Sequence, residues 1–149
     1  MTERVLAIDY GERRVGLAIS DPETSFVSGL PTLDRRALKK GGLTAAIAAV
    51  VAEREVDRIL LGVPYSLDGS IGQAAQRVLT FRNRLHLTTD VPIDEWDERL
   101  TTEAAKRRLE ELGYSEKEMR NKLDQLSAVL MLEQYLRFRE SQPDRESSP

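Results

Sequence analysis

Cysteine is absent from the chain, and histidine occurs once, at His86. The first absence excludes disulfides, thiolate catalysis and cysteine-ligated zinc. The second leaves little for a histidine metal cluster or a serine–histidine triad. An N-terminal signal pattern and a long apolar run are also missing, so the chain reads as cytoplasmic and not tied to a membrane. Positive charge is not in excess either. A net charge of -3 and a pI near 5.3 count against a nucleic-acid partner, which favours a basic footprint. Whole-chain charge hides its distribution, however, and a cluster of carboxylates built to hold divalent cations would lower the pI without repelling phosphate.

What is present fits one globular domain. In 149 residues, 40% are hydrophobic and 32% charged, enough to bury a core. The expected boundaries are 1–138 for that domain and 139–149 for a disordered polar tail.

Val5-Leu6-Ala7-Ile8 is an apolar run that leads into Asp9 and then Gly11. Such a run reads as a strand buried on both faces. Arg14 to Ser20 reads as a second strand, stopped by Asp21-Pro22, and Phe26 to Leu33 as a third. Connections this short imply an antiparallel meander. The period then changes: Leu43, Ile47, Val50 and Arg54 fall at helical spacing. Ile59 to Val63 is another buried strand, and Ala74, Val78, Phe81 and Leu85 mark a second helix. Pro92 to Trp96 alternates like a strand. Thr101 or Thr102 can cap a third helix that carries Ala105, Leu109 and Leu112 inward and ends at Gly113. The capping box from Ser115 to Glu118 starts a last helix that runs to about Leu136. The order β-β-β-α-β-α-β-α gives an α/β protein with a mixed five-stranded sheet flanked by helices. It is the order of the ribonuclease H-like fold.

Three acids stand where a chain normally puts something else. Asp9 ends the first buried strand; the bland alternative is an ordinary strand-to-turn Asp. Glu98, with Asp97 beside it, ends the strand running into Trp96. Strand alternation sends these two side chains to opposite faces, so only one can share a crevice with Asp9. Asp124 shares a helical row with Ala128, Met131 and Tyr135, with a salt bridge to Lys122 or Arg120 as the plainer reading. If strands one, four and five are parallel neighbours, Asp9 and Glu98 open into one crevice and the last helix brings Asp124 across it. Three carboxylates so close repel unless a cation joins them, and hard oxygen ligands point to Mg2+ or Mn2+. That is the chemistry of a two-metal nuclease.

Leu6-Ala7-Ile8-Asp9-Tyr10-Gly11, Gly62-Val63-Pro64 with Asp68-Gly69-Ser70, Trp96-Asp97-Glu98-Arg99-Leu100-Thr101-Thr102 and Asp124-Gln125-Leu126-Ser127-Ala128 resemble the successive motifs of the YqgF family, also called RuvX. The resemblance covers about Arg4 to Leu136. Departures are small: Val63 stands where the family commonly has Leu, and Ser127 where it commonly has Ala. The resemblance implies a ribonuclease H-like fold related to the RuvC resolvases and a metal-dependent nuclease that matures the 5′ end of pre-16S ribosomal RNA. It also implies that Asp9 bridges the metals, with Glu98 and Asp124 as further ligands.

Around these acids, Arg13, Arg14, Arg99 and Thr101 are candidates to meet nucleic acid. The loop bearing Ser66, Asp68 and Ser70 offers N–H groups and hydroxyls to a phosphate, and reads equally well as a tight turn. Expected partners are pre-rRNA, ribosomal precursor particles and no membrane, with the chain a monomer or weak dimer. The rival functions are a Holliday junction resolvase-like DNA endonuclease and a catalytically silent nucleic-acid-binding module. The strand–Asp–Gly–strand start is also shared by actin-like ATP-binding proteins, but a second domain to close over a nucleotide has no room here.

Overall fold

The structure, a computed structural model, describes residues 2–38 and 41–142; the side chains of 101, 102, 104, 105 and 120–125 lie outside the described set. β1 (Val5–Tyr10), β2 (Arg14–Ser20) and β3 (Val27–Asp34) form the expected antiparallel meander. β1 also pairs in parallel with β4 (Arg58–Val63), and β4 with β5 (Ile93–Asp97), so the sheet order is β3-β2-β1-β4-β5. The helices are α1 (Gly42–Glu53), α2 (Gln73–Thr88), α3 (Glu98–Glu111) and α4 (Glu116–Glu140). This is the mixed, five-stranded ribonuclease H-like arrangement.

β1 is the central strand, and its alternate residues divide the core in two. Leu6 and Ile8 pack with α1 and α2 through Ile47, Val51, Val78 and Phe81. Val5 and Ala7 pack on the other face with Ala128, Met131, Leu132 and Tyr135 of α4. Alternation therefore sends Asp9 to the α4 face and Tyr10 to the α2 face. Consistent with this, the Tyr10 ring lies 4.9 Å from that of Phe81.

Several helical positions shift by a residue or a turn. Val51 and Ala75 are buried where Val50 and Ala74 were expected, because each helix turns slightly more of its wall toward the sheet. Leu112 is exposed, since α3 ends there and the chain turns away through Gly113. The start of α3 moves furthest. Neither Thr101 nor Thr102 is its cap: the Asp97 side chain accepts from the Arg99 N–H, and the helix begins at Glu98.

α4 starts at the Ser115–Glu118 capping box as expected but continues past Leu136 to Glu140. The cause is a charged network at the N-terminal ends of the parallel strands. The Tyr135 hydroxyl donates to Asp94 Oδ2 at 2.5 Å, Arg58 pairs with both Asp94 and Glu3, and Arg139 pairs with Glu3. The expected domain boundary at 138 thus falls inside a helix whose Arg139 is tied to the sheet; residues 143–149 lie outside the described set.

Candidate active site

The site is built at the opposite edge, where β1, β4 and β5 end together. Asp9 is the fifth residue of β1 and pairs across to Gly16 of β2. On its other side Ile8 pairs with Leu61, which brings Gly62 of β4 abreast of Asp9. Small residues on both flanks leave the carboxylate room. Trp96 shares the α4 face, so Asp97 turns to the α2 face. Glu98, the expected strand end, is instead the first residue of α3, and it turns back beside Gly62 to reach Asp9. The geometry separates the two neighbouring acids: Glu98 meets Asp9, and Asp97 does not.

Glu98 is largely buried, with Oε1 shielded from solvent. Burial first, then the Asp9 charge, a hydrogen bond with Asp9 and the Asp97 charge push its carboxyl up to about 9. Two carboxyls in contact cannot both ionise cheaply, and here the neutral acid donates to its partner. A proton therefore stands between Asp9 and Glu98 at neutral pH. A divalent cation would satisfy the same pair without the proton, and two hard oxygen donors suit Mg2+ or Mn2+.

Gly62 completes the fit, in a motif the sequence offers without a physical reason. A Cβ there would lie 2.6 Å from Glu98 Oε1, 2.9 Å from its Cγ and 2.9 Å from Met131 Sδ. Gly62→Ala is accordingly expected to displace Glu98 and cost about 1–3 kcal/mol by overpacking. Thermal melting and cleavage assays check this; an unchanged melting temperature with full activity would show that the pocket is looser than its contacts imply. Gly11 is constrained in a different way. Its Cβ would stand 2.2 Å from the Arg14 carbonyl oxygen, so the turn that follows Asp9 closes only on glycine.

The other candidate residues separate into two groups. Asp97 is held below the usual carboxylate range by the Arg99 side chain, which grips it through Nε and through Nη2 at 2.6 Å. The same guanidinium donates to the carbonyls of Ser66 and Leu67 at 3.4 and 3.3 Å. Arg99 therefore joins the start of α3 to the loop after β4. That loop is closed on itself: Asp68 Oδ1 accepts from the Ser70 N–H and hydroxyl, and the Ser66 and Gly69 N–H groups reach carbonyls within the loop. Those contacts hold the Asp68 carboxyl low. Arg13 and Arg14 are exposed at the β1–β2 turn, Arg13 lying 3.9 Å from Asp34.

Asp124 and Thr101 belong to the backbones of α4 and α3, but their side chains lie outside the described residues. Among the described residues no group of three acidic or histidine side chains is assembled for a metal.

A mixed sheet in this order with a carboxylate pair at its parallel strand ends defines a ribonuclease H-like protein. Solved structures agree on the fold: Thermus thermophilus RuvC in complex with a Holliday junction substrate superposes with a TM-score of 0.57 at 13% identity, covering 91% of this chain and 96% of that one. The fowlpox virus Holliday junction resolvase gives 0.50 at 12% identity, over 93% and 98%. The chain belongs to the RuvX family, whose model, described as "Holliday junction resolvase", matches residues 3–138. A Chloroflexus aurantiacus protein named "Putative pre-16S rRNA nuclease" is 36% identical, covering 95% of this chain and 91% of its own. One of the same name from Clostridioides difficile is 32% identical over 91% and 95%. The family description and the relatives' names are those of nucleases. No helix among the described residues is long and apolar enough to cross a membrane.

Proposed function

We propose that this protein is a metal-dependent nuclease that hydrolyses phosphodiester bonds in structured RNA and trims the 5′ end of pre-16S rRNA. The observation that carries the reading is the Asp9–Glu98 carboxyl pair, in hydrogen-bond contact at the ends of the parallel strands with Glu98 Oε1 shielded from solvent. Asp9 and Glu98 hold the cation from the sheet side. Asp124 is the third ligand, supported by its spacing from Ala128, Met131 and Tyr135, which are buried against the sheet. Mg2+ or Mn2+ bound there supplies an activated water and charge neutralisation at the phosphate. Arg13, Arg14 and Thr101 flank the scissile strand, while the loop carrying Ser66, Asp68 and Ser70, braced by Arg99, borders it. The names of the curated relatives favour RNA and, with it, ribosomal precursor particles in the cytoplasm as the working context. The family description favours a second reading, a junction-cleaving DNA endonuclease, which needs two sites and hence a symmetric dimer. As an RNA nuclease the chain needs no more than a monomer or weak dimer.

A single experiment separates these. Purified protein is incubated with a 5′-extended 16S precursor RNA or a four-way DNA junction, in Mg2+, Mn2+ or EDTA. RNA cleavage in either metal and none in EDTA is expected. Cleavage that persists in EDTA would overturn the metal requirement, and preferential junction cleavage by a stable dimer would transfer the proposal to DNA.

A further inference from the structure

In a chain with more acids than bases, the sequence between Asp68 and Asp90 contains no Asp or Glu. α2 lies wholly inside that stretch and carries Arg77, Arg82 and Arg84. Arg82 is committed to Glu95 of β5. Arg77 and Arg84 instead face a groove of about 360 Å³ lined by Tyr10, Gln73, Gln76, Arg77, Thr80 and Arg84. Arg77 touches Glu12 at 3.2 Å, an exposed pair of the kind that contributes little and exchanges readily. Arg84 makes no ion pair among the described residues. Every polar side chain lining the groove thus offers a donor, and none is a carboxylate.

The position matters as much as the charge. Tyr10 follows Asp9 directly on β1, and its ring is held between Phe81 and the Arg35 guanidinium, 4.8 Å from the ring centre. The groove therefore begins one residue from the candidate carboxylate, on the opposite face of the sheet. Arg77 and Arg84 stand two turns apart, about 10 Å along the helix, so they meet different phosphates of one strand. Beside the two arginines, Gln73, Gln76 and Thr80 offer donors and acceptors to base edges, which an unpaired strand leaves free. We propose that the groove along α2 is a subsite for the single-stranded flank of the RNA substrate, with Arg77 and Arg84 neutralising its phosphates. This rests on the nuclease reading above.

The test uses full-length protein carrying Asp9→Asn, to keep the ligand intact in Mg2+. Two fluorescent RNAs are compared by anisotropy across a salt series: a short structured RNA, and the same RNA with a single-stranded extension. The extension is expected to tighten binding, and Arg77→Ala/Arg84→Ala to remove about tenfold of that gain and lower the salt slope by about 1.4. Arg77→Lys/Arg84→Lys, which keeps both charges, is expected to retain the slope. Extension-dependent binding that survives the alanine pair, with slope unchanged, would overturn the subsite. An extension that adds nothing to a short RNA that binds well would do the same and leave the nuclease reading standing. Failure of both RNAs to bind would overturn the two together.

Discussion

Asp9→Asn is expected to lower metal-dependent cleavage by about a thousandfold or more while leaving the melting temperature equal or higher. On the proposed function, losing the carboxylate removes a charged metal ligand, and Lewis-acid and nucleophile activation by a bound ion is worth several kcal/mol, each 1.4 kcal/mol being about tenfold in rate. The stability half of the expectation has a separate origin. In the metal-free protein Asp9 is one of the charges that raise the Glu98 carboxyl, and a neutral amide at position 9 removes that repulsion. Asparagine is isosteric with aspartate, so the substitution adds no bulk beside the crowded Gly62 position. Loss of activity with an intact fold assigns Asp9 to chemistry. Activity within tenfold of wild type would remove Asp9 from the metal site, and a clear fall in melting temperature would make it a structural partner instead.

The residues that read well from sequence are those whose neighbours are local. The run from Val5 to Ile8, the meander behind it and the Ser115 capping box follow from periodicity and from side chains within a few positions. The separation of Asp97 from Glu98 is equally local, set where the strand gives way to the helix that Asp97 caps. Most departures from the local pattern were decided by distant contacts. α3 begins at Glu98 because Asp97 is fixed by Arg99, which also reaches the loop at Ser66 and Leu67. By residue type Asp97 is the stronger cap, and its place in an alternating strand hid it behind the threonines four residues later. α4 outlasts Leu136 because Glu3, at the far end of the chain, holds Arg139. The role of Gly62 was hidden for the same reason, since its crowding partners are Glu98 and Met131. Contacts across thirty or more residues leave no periodic trace.

Glu98→Gln is expected to give the second large effect, and its signature is a dependence on pH. A carboxyl whose folded-state value is raised, here from 4.5 to about 9, binds its proton more tightly in the folded state. Stability from this group is therefore full below about pH 4.5 and drains away as pH rises toward 9. Glutamine mimics the protonated acid, keeping a donor for Asp9 without a charge to bury. Its advantage over wild type should be small at pH 5 and reach about 2 kcal/mol by pH 7, discounted for the sharing of one proton between two carboxyls. For a domain of this size that is a rise of about 6 °C in melting temperature. Thermal melts of both proteins from pH 5 to 9 in EDTA measure it; a difference that is flat with pH, or negative, would show that Glu98 is ionised in the folded state. Mg2+ should then reverse the order. On the proposed function the cation displaces the shared proton, so wild type gains stability from Mg2+, more at pH 8 than at pH 6, while Glu98→Gln gains little. Equal stabilisation of the two proteins by Mg2+ would remove Glu98 from the metal site even if the pH profile holds.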